Sequence, residues 1–158
     1  MSYDVQFGYH QSAIKTNEAL TGAYDAWRNT NSRQCGNACT CETSARIDVV
    51  GHADRRTGTR RFNACISWKR ANVVAEALAG LGVPRCDVTT AFMGDSETPS
   101  PEPDEATAAK HRNASMTIVA GNPQAKFSCV GACRSTLNAS DAERCEARLK
   151  EPPLLKLN

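Results

Sequence analysis

The chain has 158 residues, of which 41% are hydrophobic, and its formal net charge at neutral pH is +2. This length and apolar content predict one domain with a substantial hydrophobic core. The balanced charge argues against a dedicated nucleic-acid binder, and no run approaches the roughly 18 apolar residues that a membrane helix needs.

The N-terminus carries no visible export signal. The first ten residues, MSYDVQFGYH, contain neither a basic region nor an apolar stretch of the kind that forms a signal peptide. We therefore expect either that a leader has been removed or that the protein leaves the cytoplasm by another route, such as inside a virion or through a secretion machine.

Two elements are predicted before the first cysteine. Apolar and polar residues alternate over residues 3–7, which predicts a half-buried strand. A helix is predicted from about Thr16 to Arg28, because its apolar residues recur at helical spacing. We assign this stripe to the core: Leu20, Ala23, Tyr24 and Trp27.

A polar insertion rich in cysteine, at about residues 29–44, is predicted to be a long loop. The chain has eight cysteines, and the insertion holds the first three of them. The eight are Cys35, Cys39, Cys41, Cys65, Cys86, Cys129, Cys133 and Cys145. An even number of cysteines in a loop-rich chain favours disulfides and an oxidising compartment. Zinc is the alternative, although the gaps within the insertion do not match paired C-x2-C knuckles, and free thiols are a third reading. The insertion is expected to be stapled to itself or to the C-terminal tail.

The central stretch, residues 47–81, predicts a strand, a turn and a long helix. The strand-like run 47–50 breaks at Gly51, which places Asp54 just beyond the strand end, and a helical pattern begins at about Asn63. Arg70 lies on the first turns of that helix. A carboxylate and a guanidinium held near each other on rigid elements suit a zwitterionic ligand. The apolar positions of the helix are Ile66, Val73, Val74, Ala77, Leu78 and Leu81.

The remaining elements complete an α+β arrangement. Gly82 and Pro84 end the second helix, residues 86–92 predict a third strand, and the acidic, proline-rich residues 94–110 predict a loop or a short helix. A last strand follows at 116–119. The order β-α-β-α-β-β predicts a two-layer sandwich of four strands with the helices on one face of the sheet.

The central motif resembles a known family. GHAD, a turn, and then N-x-x-[LI]-S-x-x-R-A-x-x-V resemble the core of the OmpA-like peptidoglycan-binding domains, which include the C-terminal domains of OmpA and MotB and the peptidoglycan-associated lipoprotein. The resemblance covers roughly residues 3–120 and implies a mixed four-stranded sheet. It divides the chain into an OmpA-like domain, 1–120, and a disulfide-tethered C-terminal extension, 121–158. The matching residues are Gly51, His52, Ala53, Asp54, Asn63, Ile66, Ser67, Arg70, Ala71 and Val74.

The resemblance implies a peptidoglycan-binding module that anchors its assembly to the cell wall. Asp54 would accept the side-chain ammonium of diaminopimelate in the stem peptide, and Arg70 would pair with the carboxylate of the same residue. The loop amides after the second strand would hold the peptide backbone. Further ligand-binding candidates are Asn63, Thr57, Gly58, Phe7 and Arg112. No cofactor, metal or nucleic-acid partner is predicted, and the expected location is the periplasm or cell envelope, or a virion.

Several departures from the family pattern support a different function. The first aspartate of the family's strand-end motif is Gly8 and the second is His10, while Ala114 and Ser115 replace two arginines of an N-R-R motif, unless Arg112 is the one that survives. The alternative function is a structural or assembly protein that keeps the fold as a protein-interaction scaffold. An open cleft containing Asp54 and Arg70 would favour ligand binding, and coverage by the insertion or the tail would favour the scaffold.

Two further interpretations stay open at this stage. The loop arginines, namely Arg55, Arg56, Arg60 and Arg61, either contact peptide carboxylates or teichoic-type phosphates of the cell wall or form a solvated face. Asp54 and Arg70 could also form a salt bridge that merely orients the turn. An enzyme is not predicted, because Ser67 lacks the glycines of a nucleophile elbow and His52 is interpreted as a structural residue of the turn.

Overall fold

The computed structural model contains a mixed four-stranded sheet with the order β1-β4-β2-β3. It describes residues 2–41, 43–56, 58–98, 104–121, 134 and 136–151. The strands β2 and β3 are parallel, whereas β4 is antiparallel to both β2 and β1. The strands are β1 (Ser2–Gln6), β2 (Arg46–Gly51), β3 (Val88–Phe92) and β4 (Asn113–Val119).

Four α-helices accompany the sheet in the described part of the chain. Two are long and contribute to the main core, one lies in the predicted loop before the last strand, and one belongs to the C-terminal extension. They are α1 (Glu18–Gln34), α2 (Arg60–Leu81), α3 (Glu105–Ala109) and α4 (Ala139–Arg148). No helix within the described ranges is both long and apolar enough to cross a membrane.

The core lies between the sheet and the two long helices. Alternate residues of β2, Ile47 and Val49, are fully buried, and they pack in one cluster with apolar residues of both helices. Leu20 of α1 and Leu78 of α2 contribute to this cluster, and Met116 contributes from β4. The predicted α+β fold, with a mixed sheet and its main helices packed on it, is therefore confirmed.

The structure corrects three details of the predicted elements. Helix α1 continues to Gln34, so the first six residues of the predicted loop are helical. Helix α2 begins at Arg60, where the Thr59 side chain caps it by accepting a hydrogen bond from the Phe62 amide. Leu81, assigned to the apolar helix face, is 43% exposed because the helix ends there and turns away at Gly82.

Disulfides are confirmed, and the described residues form three of them: Cys35–Cys39, Cys41–Cys86 and Cys65–Cys145. The zinc interpretation of the cysteine-rich insertion is wrong, because all three of its cysteines are used in disulfides. The insertion is stapled to itself, as expected, and also to the short 3-10 helix Arg85–Asp87 rather than to the tail. Cys129, Cys133 and residues 152–158 lie outside the described residues.

Candidate functional site

The end of β2 is held against α2 by a contact that requires glycine. A Cβ atom on Gly51 would lie 1.8 Å from the carbonyl oxygen of Ser67 on α2. Because strand and helix approach so closely here, Asp54 and Arg70, each three residues further along its own segment, lie at the same edge of the sheet. Both are 0% exposed.

Arg70 is surrounded by carbonyl oxygens. Its guanidinium donates to three backbone carbonyls: Nε to Gln11 at 2.9 Å, Nη1 to His52 at 2.9 Å and Nη2 to Gly8 at 3.3 Å. The guanidinium carbon also lies 5.3 Å from the centre of the Phe7 ring, a cation–π distance. The side chain is therefore fixed in orientation by partners from two separate segments.

Asp54 forms a buried ion pair with Arg112, whose Nε donates to its Oδ2. The other two guanidinium nitrogens of Arg112 donate to both carboxylate oxygens of Glu105, at 2.6 and 2.8 Å. Burial alone would lower the pKa of Arg112, but the hydrogen bonds to Glu105 and Asp54 outweigh it and raise that pKa. The hydrogen bond from Arg112 also lowers the pKa of Glu105.

The charges of Asp54 and Arg112 both affect the pKa of Arg70. Burial lowers the pKa of Arg70 to about 9, the Asp54 carboxylate opposes this change, and the positive charge of Arg112 adds to it. Arg70 therefore stays charged at neutral pH. The centre of the site contains two cations and one anion, all nearly withdrawn from water.

Residues 8–11 cover this centre. The Tyr9 ring lies 5.3 Å from the guanidinium carbon of Arg112, and the His10 ring stacks on Phe62 with 4.5 Å between the ring centres. His10 has a φ of 57°, an unusual backbone conformation for a residue with a side chain. Burial lowers its pKa. Residues 8–11 thus cover Arg70 and Arg112, and Leu149 of the extension packs beside them against Ala53, Phe62 and Ile66. The cleft between Asp54 and Arg70 is not open, since both residues are 0% exposed.

Asn63 joins two loops below this cover. It is fully buried, and its Nδ2 donates to Asp95 at 2.8 Å and to the Gly58 carbonyl at 3.1 Å. Its Oδ1 accepts no hydrogen bond from the described residues. Thr57, the remaining candidate in this loop, lies outside the described residues.

The structure thus places the predicted site residues in two groups. Phe7, Asp54, Arg70 and Arg112 form the buried charged centre, and Asn63 with Gly58 forms the neighbouring loop junction. Sequence reasoning missed the groups that satisfy these residues: Gly8, Tyr9, Gln11, Asp95 and Glu105. Most contribute through backbone carbonyls or acidic side chains in loops, and no local pattern distinguishes such groups from solvated ones.

Comparisons with known proteins identify a family and relatives for part of the chain. Residues 29–113 match the model of the OmpA family. Over 68 residues, 43% of this chain and 38% of the relative, the chain is 35% identical to the peptidoglycan-associated lipoprotein of Legionella pneumophila. Over 54 residues it is 43% identical to outer membrane protein 40 of Porphyromonas gingivalis (strain ATCC BAA-308 / W83), covering 34% of this chain and 14% of that protein.

A solved structure shows the same fold. The peptidoglycan-associated lipoprotein from Burkholderia pseudomallei gives a TM-score of 0.58 at 23% identity, over 73% of this chain and 89% of that chain. The chain spans well under half the length of the two curated relatives it matches.

Proposed function

This chain belongs to the OmpA family, and from that membership we propose that it binds peptidoglycan without acting on it as an enzyme. The relatives include proteins named peptidoglycan-associated lipoprotein and outer membrane protein. The disulfides fit an oxidising compartment. The cell envelope or periplasm is oxidising and also contains peptidoglycan, so we propose that location.

The observation that carries the proposal is the pair of opposite charges at the family's motif positions, Asp54 and Arg70, which lie close enough for the carboxylate to act on the guanidinium. Buried ionic groups rarely stabilise a core more than apolar residues of similar volume would. Their presence at the end of a rigid strand and on a rigid helix therefore favours a role in recognition. The ligand we assign to them is the diaminopimelate of the stem peptide, whose side chain ends in both an ammonium and a carboxylate.

Binding would replace internal partners by ligand groups that make the same hydrogen bonds. The ligand ammonium would take the position of the Arg112 guanidinium at Asp54. The ligand carboxylate would replace carbonyl oxygens of Gly8 and Gln11 as the acceptor for Arg70, which requires residues 8–11 to move. Asn63 Oδ1, which has no donor among the described residues, would then be available for a peptide amide.

The test is co-sedimentation with purified peptidoglycan of two types, one containing diaminopimelate and one containing lysine. We expect binding to the first type and little to the second, because lysine lacks the side-chain carboxylate that Arg70 recognises. Asp54→Asn and Arg70→Lys should each abolish binding, the latter because an ammonium cannot present the guanidinium fork. Arg33→Gln, at an exposed position on α1, is the matched control.

Circular dichroism must show that the variants are folded. If either is not, competition by soluble diaminopimelate and lysine tripeptides on the wild-type protein gives the same answer without any substitution. Equal competition by both peptides would refute the diaminopimelate assignment.

The second candidate function is a protein-interaction scaffold in an envelope or virion assembly. The observation that favours it is the burial of Asp54 and Arg70 under residues 8–11. Wild-type protein that stays in the supernatant with both types of peptidoglycan would support this function.

A further inference from the structure

A cavity of about 510 Å³ lies beside the first turns of α2. Its lining includes none of Phe7, Asp54, Arg70 and Arg112, so it is separate from the buried charged centre. The walls come from the start of α2, the turn after β3 and one residue of the C-terminal extension. Four arginines line it: Arg55, Arg60, Arg61 and Arg134.

The cavity has a strongly positive lining. Asp95 is its one acidic residue, and that carboxylate is 8% exposed and accepts a hydrogen bond from Asn63, so the four guanidiniums leave a net charge of +3. Within the described part of the chain, Arg60, Arg61 and Arg134 form no ion pair. All three are exposed, so their charges are available to a ligand.

The helix adds to this positive potential. Arg60 and Arg61 are the first two residues of α2, and the first turn of that helix has no acidic residue. Cations are disfavoured at a helix N-terminus, where the backbone amides already carry partial positive charge. Two adjacent arginines therefore destabilise the helix here. An anion bound in the cavity would offset their repulsion from each other and from the helix dipole.

The backbone of Arg134 pairs with the edge strand β3. Its amide donates to the Phe92 carbonyl at 3.0 Å, and its carbonyl accepts from the Phe92 amide at 2.8 Å. This residue lies beyond the part of the chain that matches the family, residues 29–113. The extension thus contributes one of the four arginines that line the cavity.

From this arrangement we infer that the cavity binds the phosphate groups of a phosphodiester polymer of the cell wall. One guanidinium fork can satisfy a single carboxylate or a single phosphodiester, since each has one negative charge shared by two oxygens. A phosphodiester polymer repeats that charge along its chain, so that several arginines can each contact a different unit. The cavity is also larger than a single phosphate requires, which fits successive units of a polymer.

Two other classes of phosphate ligand fit less well. Single-stranded nucleic acids need exposed aromatic rings on which bases stack, and Phe92, the aromatic ring that lines the cavity, is 4% exposed. Binding to a membrane surface is strengthened by exposed apolar groups near the charges. Within the described residues the exposed large apolar side chain is Leu81, at the opposite end of α2.

The experiment is a calorimetric titration of the full chain with soluble poly(glycerol phosphate) at several salt concentrations. Wild type should bind, and Arg60→Gln/Arg61→Gln should bind at least tenfold more weakly. The salt dependence of log K should also become shallower by about 0.7 for each lost phosphate contact. Arg33→Gln/Arg85→Gln removes the same charge from exposed positions outside the cavity and should bind like wild type.

Three results would overturn the inference. They are no binding by wild type, an equal loss in the control variant, and equal or tighter binding of polyglutamate, oligothymidylate or anionic vesicles. The cell-wall source of the polymer rests on the proposed function, whereas the phosphate-binding cavity does not. Co-sedimentation with peptidoglycan stripped of phosphate polymers separates the two, because Arg60→Gln/Arg61→Gln should bind stripped peptidoglycan as wild type does.

Discussion

Replacing Arg112 by glutamine removes the cation that neutralises a fully buried carboxylate. Asp54 is 0% exposed and the Arg112 side chain is 5% exposed, so water cannot replace the lost partner. Breaking a buried ion pair from one side costs about 3–5 kcal/mol. Glu105, the second partner, adds little to this cost because its side chain is 48% exposed and regains water.

We therefore expect Arg112→Gln to lose about 3 kcal/mol of unfolding free energy, the lower end of that range, because Arg70 keeps a second positive charge near Asp54. For a chain of this length the loss corresponds to roughly 6–12 °C in Tm. Denaturant unfolding followed by circular dichroism, with the disulfides intact, measures it.

Glu105→Gln is the matched control, since it removes the exposed half of the same network. It should cost no more than about 1 kcal/mol. An Arg112→Gln variant within about 1 kcal/mol of wild type, or one no less stable than Glu105→Gln, would show that the ion pair does not carry the energy assigned to it.

Three further predictions concern the strand–helix packing, the disulfides and the pH dependence of stability. Gly51→Ala should cost at least about 3 kcal/mol because its Cβ overlaps a backbone carbonyl, whereas Gly80→Ala, which meets open space, should stabilise α2 by about 0.5–1 kcal/mol in thermal unfolding. Replacing Cys65 and Cys145 by serine should cost about 2–5 kcal/mol in the same assay, because that disulfide closes 80 residues of chain. Stability should fall as the pH drops below about 6.5, because burial lowers the pKa of His52 in the folded state while the unfolded side chain takes up a proton there; denaturant melts at a series of pH values measure this.

Each of the three has a result that contradicts it. Equal stabilities of the two glycine variants would mean that the strand and helix can separate at no cost. A serine replacement of Cys35 and Cys39, whose disulfide spans four residues, should cost about 2 kcal/mol or less, and a larger loss there than for the long-range disulfide would reverse the expected order. The pH-dependent loss above pH 5 should shrink in His52→Gln, and an unchanged profile would assign it to other groups.

The fold was predictable from sequence where apolar periodicity and the family motif coincide. The runs around Ile47 and Val74 gave the second strand and the second helix because their inward faces are continuous in sequence. The extension of α1 to Gln34 was not predictable in this way, since its last turns are polar. That part of the helix is held by a tertiary contact, in which Asn31 Oδ1 accepts a hydrogen bond from the Ala45 amide at 2.6 Å.

The site was predictable in its charged positions and not in their pairing. Asp54 and Arg70 follow from the motif, but the ion-pair partner of Asp54 is 58 residues away and was a weak candidate from sequence. The cover formed by residues 8–11 depends on His10 adopting a positive φ. Sequence gives little indication of that conformation, because the residue is not a glycine and its ring stacks on Phe62, which is distant in sequence.

The position of β4 in the sheet has a consequence for how the protein folds. The first strand, β1, pairs with β4 through residues more than a hundred positions away, such as Ser2 with Thr117. Contacts so distant in sequence close slowly, because the loop entropy is lost before the pairing is gained. During synthesis the first strand therefore waits for nearly the whole domain to emerge. Arg112 immediately precedes β4, so the step that inserts the last strand also brings the cation to Asp54, and the buried charged centre and the sheet are completed together.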